Sequence, residues 1–250
     1  MGPVFLYGHV AETFTAIIEP FVAAARGGDG DGRIALLMQD RASRRYLPGY
    51  HDPLVDNGAT EVAPVLPGSS GRLDDRAMET IAASSGILMA GGHVPSYHRS
   101  YVASPARDLI RNRVASGVPF AGVSAGALLT TEVLIHTGDR ASAKEGGHRL
   151  LAVEFDQTGG PLGFGDGLGL VEDTLVEPHF TGFGGFPRLL AGMEESGTPV
   201  GIGIDDEAGV AIAGGELSVL GAGLVYLLRR QQPGSVSVTT HAPGTAFPFP

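Results

Sequence analysis

Short apolar runs bounded by glycine or proline alternate with longer amphipathic stretches over the first half of the chain. The run at 3–8 (PVFLYG) predicts a buried first strand, and 14–26 (FTAIIEPFVAAAR) predicts the helix after it. The alternation continues with strands at 33–38 (RIALLM), 60–66, 86–92 (GILMAGG) and 118–123 (VPFAGV). Helices are predicted at 73–83, 105–116 and 125–135, with Ser104 as a cap and Pro105 in a first turn. Strands apolar on both faces need cover on both sides. The predicted fold class is therefore α/β, with a mostly parallel sheet between helices.

The second half reads differently. Residues 159–171 are glycine-rich and predict a loop, and 186–197 predicts a helix closed by Gly197. Five short runs between Pro199 and Thr240 predict antiparallel strands at one sheet edge. No shift of composition divides the chain, so residues 1–240 read as a single domain. The proline-rich stretch 241–250 reads as a loosely ordered tail.

Composition narrows the chemistry. There is no cysteine, which excludes disulfides, thiolate metal sites and a cysteine nucleophile. Lys+Arg number 17 against 27 Asp+Glu, a net charge of −10 with no basic run, so a nucleic-acid partner is not expected. No window holds 18 uninterrupted apolar residues, so no membrane span is expected, and the start lacks a secretory pattern. A cytoplasmic location is the expectation. His93 and His98 have no HExxH or comparable ligand set around them, and DGDG (29–32) lacks the later ligands of a calcium loop. Neither a metal nor another cofactor is expected.

The strongest chemical signal is GVSAG at 122–126. An apolar strand runs into Ser124 and a small-residue helix leaves it, which is the setting of a nucleophile elbow. The N–H of Ala125 at the helix start would face a developing oxyanion. The plainer alternative is that Ser124 caps a helix after a strand. Gly91 and Gly92 end the 86–92 strand with bare backbone, either as further oxyanion donors or as a tight turn. Among eight histidines, His179 stands at the end of the short strand TLVEPHF (174–180). Asp205, Asp206 and Glu207 follow the strand VGIGI, either as a solvated turn or with one acid set against a histidine.

Taken together and in order, Gly91-Gly92, GVSAGA (122–127), EPHF with RLL (177–180 and 188–190) and GIGIDD (201–206) resemble peptidase family S51, which contains cyanophycinases and aspartyl dipeptidases. The resemblance implies a three-layer α/β/α sandwich like that of class I glutamine amidotransferases, whose own activity the missing cysteine excludes. It implies Ser124 as nucleophile, His179 as general base and Asp206 as the acid orienting it. Relatives usually carry glutamate at that position, so Glu207 stays open as a stand-in. It also implies a small peptide or peptide-like substrate and, as an assembly, a homodimer. Gly91, Gly92, Ala125, His93 and Arg188 are then the oxyanion and substrate-binding candidates.

Two departures bear on substrate. GGHV stands where cyanophycinases have Gly-Gly-Asp-Gln, so Val94 replaces a glutamine. After the histidine only Arg188 remains of three arginines, with Phe183 and Gly185 at the other positions, which predicts a less acidic or more apolar substrate. A base that must be neutral predicts activity that falls below roughly pH 6–7. The competing readings are an α/β-hydrolase esterase using Ser124, Asp206 and His241, and a binding protein that keeps the elbow without turnover.

Overall fold

The computed structural model describes residues 1–9, 12–136, 163–182, 184–232 and 234–249. Five parallel strands form one side of its eight-stranded main sheet, out to the edge at β3: β1 (Val4–Tyr7), β2 (Arg33–Leu37), β3 (Glu61–Val65), β4 (Gly86–Met89) and β5 (Phe120–Val123), in the order β1-β5-β4-β2-β3. β1, β4 and β5 are buried at every position, as uninterrupted apolar runs require. Connecting segments carry α1 (Phe14–Ile17), α2 (Glu19–Arg26), α3 (Leu47–Asp56), α4 (Asp75–Ala83), α5 (Val94–Tyr97) and α6 (Ala106–Ala115). The result is a three-layer α/β/α sandwich.

Local chemistry explains several boundaries. The Asp74 carboxylate accepts the Ala77 N–H at 2.8 Å and starts α4, and Ser104 Oγ accepts from Ala106 N–H at 3.2 Å at the head of α6. The single helix predicted for 14–26 is two helices that meet at Ile18, just ahead of Pro20, whose ring cannot continue an existing turn. The helix predicted for 125–135 is a correction. Only α7 (Ala125–Leu128) is helical, and Val133–His136 forms β6 against β7 (Gly163–Asp166). Thr130 and Thr131 end the helix by bonding back to the carbonyls of Ala127 (2.6 Å) and Leu128 (3.0 Å). β7 also occupies part of the stretch predicted as a loop; residues 159–162 lie outside the described residues.

β8 (Thr174–Pro178), α8 (Gly185–Ser196) and β9 (Val200–Ile204) follow, then β10 (Ala208–Ala213), β11 (Glu216–Gly221), β12 (Val225–Gln232), β13 (Ser235–His241) and β14 (Ala246–Pro248). The predicted antiparallel edge divides. β10, β11 and β14 extend the main sheet beyond β1, whereas β13-β12-β9-β8 is a second sheet in which β8 and β9 are parallel. The GIGI alternation in β9 has a steric cause. A Cβ on Gly203 would lie 2.5 Å from the Phe180 ring, and one on Gly201 2.6 Å from Met193 Sδ.

The tail also departs from expectation. Leu217 pairs with Phe247, Phe249 is buried, and His241 stacks on Phe247 at 4.1 Å. Two phenylalanines and a proline-limited edge strand have more to gain from the sheet than from solvent, so 246–249 is ordered. No helix among the described residues is long and apolar enough to cross a membrane.

Candidate active site

β5 ends at Val123, and α7 begins at Ala125. Between them Ser124 takes φ 52° and ψ −110°, a conformation that costs a residue with a Cβ about 1–3 kcal/mol. Its N–H donates to the Tyr7 carbonyl at 3.0 Å, which ties the turn to β1 and raises the hydroxyl at the carboxyl edge of the sheet. The strain is held by packing that leaves no slack. A Cβ on Gly126 would sit 2.2 Å from the Met89 carbonyl oxygen. Gly126→Ala is therefore expected to destabilise by about 3 kcal/mol, lowering the thermal midpoint by roughly 6–12 °C in calorimetry. An unchanged midpoint would count against this packing.

His179 Nε2 lies 2.9 Å from Ser124 Oγ, and Nδ1 bonds to Asp206 Oδ1. With the proton on Nδ1, the imidazole donates to the carboxylate and accepts from the serine hydroxyl. The strand end supplies this aim. Phe180 donates its N–H to the Ile204 carbonyl at 3.2 Å and lays its ring over Gly203, which leaves His179 at φ 55°. Asp205 and Asp206 have separate side-chain partners, and Glu207 is engaged through its backbone. Asp205 Oδ1 accepts from the Thr181 N–H (3.1 Å) and hydroxyl (2.8 Å), and the Glu207 carbonyl accepts from Ala222 and Gly223. Asp206, and not Glu207, is the acid on His179.

The glycine pair divides in the same way. Gly91 packs against Ser124, and its own Cβ would be 3.3 Å from that of the serine. Its N–H already donates to the buried Tyr50 hydroxyl at 2.8 Å, so Gly91 shapes the wall and does not offer a free donor. Among the described residues no acceptor takes the N–H groups of Gly92 or Ala125. Gly92 adopts φ 151° over Gln39, whose Oε1 accepts the His93 N–H at 2.6 Å. The His93 ring is exposed and bonded to Ser96 Oγ at 3.1 Å, and Val94 is buried.

Arg188 is engaged within the chain. It is buried in an ion pair with Glu177 and donates to the Ile135 carbonyl at 3.0 Å, two residues behind His179 along β8. The cause is local: burial pushes the Glu177 carboxyl up, and Arg188, helped by His179, pulls it back. Gly185 could carry no side chain here, because a Cβ would be 2.8 Å from Glu177 Cγ. Phe183 lies outside the described residues. His241, the base of the esterase reading, bonds Thr239 Oγ1 at 2.9 Å and stacks on Phe247, while His179 holds the serine.

Sequence reasoning overlooked Gln39, Tyr50 and His9. The His9 ring is 5.3 Å from that of His179, and its pKa is lowered by burial first and by His179 second, against the pull of Asp206. A histidine two residues beyond the end of β1, the strand beside β5, is the signal that could have found it. Among the described residues no group of three or more His, Asp or Glu could hold a metal ion.

A sequence model of peptidase family S51 matches residues 68–220. A cyanophycinase of Synechococcus elongatus is 30% identical over 232 residues, covering 91% of this chain and 62% of that relative. A cyanophycinase of Trichormus variabilis is 30% identical over 151 residues, or 60% and 46% of the two chains. The chain thus spans less than two thirds of the length of these curated relatives. Among solved structures, a peptidase from an acI-B1 Actinobacterium superposes with a TM-score of 0.73 at 16% identity, covering 100% of this chain and 97% of the other. That likeness shows the fold, and the sequence matches show the family: the chain belongs to peptidase family S51.

Proposed function

We propose that this chain is a serine hydrolase that cleaves an amide bond of a small peptide or peptide-like substrate through an acyl-enzyme on Ser124. The observation that carries the reading is the line from Ser124 Oγ, 2.9 Å to His179 Nε2, and on from Nδ1 to Asp206. As Oγ attacks the carbonyl carbon, its proton passes to His179, and Asp206 steadies the imidazolium that forms. The N–H groups of Ala125 and Gly92 meet the oxyanion. His179 then protonates the leaving amine as the C–N bond breaks, and a water deprotonated by the same nitrogen releases the acyl group.

The test is intact-protein mass after treatment with a fluorophosphonate, on wild type and Ser124→Ala in parallel. One adduct on the wild type and none on the variant is the expected outcome. Absence of an adduct on both would move the weight to a binding protein.

A further inference from the structure

Among the described residues four tyrosines are buried: Tyr7, Tyr50, Tyr97 and Tyr101. Three of them donate the hydroxyl proton to main-chain carbonyls. Tyr7 donates to Ile17 at 3.1 Å, Tyr97 to Leu37 and Gly91 at 3.4 and 3.3 Å, and Tyr101 to Met38 and Val65 at 2.8 and 3.0 Å. Tyr50 is the exception. Its oxygen accepts the Gly91 N–H at 2.8 Å, and no described acceptor takes its own proton. A buried donor left unused costs free energy that an incoming acceptor would recover.

That hydroxyl stands beside the nucleophile. A Cβ on Gly91 would lie 3.2 Å from Tyr50 Oη, 3.3 Å from Ser124 Cβ and 3.6 Å from the Val123 carbonyl oxygen. Hydroxyl and serine therefore flank the same missing side chain, with room between them for one substrate atom. The ring is anchored from behind. It meets Phe14 edge-on at 6.0 Å, and Phe14 meets Tyr7 at 5.7 Å, the residue whose carbonyl holds the Ser124 N–H. Tyr50 belongs to α3, so a packed helix and not a loop sets its aim. Burial raises its pKa, against a smaller opposing pull from the Gly91 N–H, so the proton stays on the oxygen at neutral pH. Accepting from Gly91 also polarises the O–H and makes it a better donor.

We propose that Tyr50 is a further catalytic residue, whose hydroxyl donates to the oxyanion that forms on the carbonyl attacked by Ser124. The sequence marks Gly91 as an oxyanion donor. In the structure its N–H is spent on Tyr50, and the phenol passes that hydrogen bond on to the site. Ala125 and Gly92 supply main-chain donors, and Tyr50 adds one from a side chain. The proton remains on the phenol oxygen throughout, so the bonds made and broken in acyl transfer are unchanged. The inference rests on the hydrolase reading, because a donor placed for an oxyanion has no role without one.

The experiment compares wild type, Tyr50→Phe and Tyr101→Phe as they react with a fluorophosphonate, whose phosphonyl oxygen stands in for the oxyanion. Second-order labelling rates are read by intact mass, and the phosphorus NMR shift of each adduct is recorded. Tyr50→Phe keeps the ring and its contact with Phe14, and it should label about 100-fold more slowly than wild type. Its adduct should show a displaced phosphorus resonance, because the phosphonyl oxygen has lost a donor. Tyr101→Phe loses two bonds to carbonyls and should lower the thermal midpoint, yet label at the wild-type rate and give the wild-type resonance. Labelling of Tyr50→Phe at the wild-type rate overturns the inference, as does an equal slowing in Tyr101→Phe. A slower rate with an unmoved resonance also overturns it and makes the hydroxyl a support for Gly91 alone. No label on wild type removes the hydrolase reading and this inference together, whereas a labelled wild type with an indifferent Tyr50→Phe leaves the reading standing and removes the inference only.

Discussion

His179→Ala should slow the reaction of Ser124 with a fluorophosphonate by about 10⁴-fold or more. The serine hydroxyl is a weak nucleophile at neutral pH, and the only described base on it is His179, at 2.9 Å. Asp206→Asn should cost a comparable factor for a different reason. An amide at that position can donate to Nδ1, which favours the tautomer whose Nε2 bears the proton and cannot accept from serine. Asp206→Glu is more informative still. The turn carries the shorter acid, and Asp205 next to it is fixed by Thr181. The extra methylene should lower the labelling rate without abolishing it. Because the three residues act as a unit, His179→Ala/Asp206→Asn should be little slower than His179→Ala alone. Second-order labelling rates read by intact mass decide the matter; additive losses would sink the triad.

The parallel core and the elbow were legible because they are written in short-range terms. Continuous apolar runs give β1, β4 and β5, and a serine between a strand and a small-residue helix gives the strained turn at Ser124. The partition of the three acids was not legible, because Asp205, Asp206 and Glu207 differ only in which partner the turn brings to each. The partner of Arg188 was not legible for a similar reason. An arginine after the histidine has the same identity whether it faces solvent or is folded under β8, and only the position of Glu177 in space decides between the two. The division of the C-terminal strands between two sheets also depends on long-range pairing, β10 with β1 but β9 with β8 and β12, which no local pattern encodes.

Arg188→Met should be the most destabilising substitution near the site, by about 3–5 kcal/mol at neutral pH, or roughly 6–20 °C in thermal midpoint. Glu177 is then left as a buried carboxylate without its cation. The pH dependence carries a definite sign. Burial raises the folded-state pKa of Glu177 above its unfolded value, so the folded protein holds that proton more tightly. The associated stability is fully present below the unfolded pKa and is lost as pH rises through the folded one. With Arg188 gone, the upward pull of burial loses its main opposition, so the variant should recover stability on acidification relative to wild type. Glu177→Gln strands the arginine instead, whose charge does not titrate, and should show no such recovery. Replacing both, as Glu177→Leu/Arg188→Met, should cost far less than either alone, because the pair's attraction mainly offsets its own desolvation. The pair also joins α8 to the strand that presents His179, two residues away. Arg188→Met should therefore slow Ser124 labelling at temperatures where the protein is still folded. A variant that melts early yet labels at the wild-type rate would confine the ion pair to stability and separate it from the aim of the base.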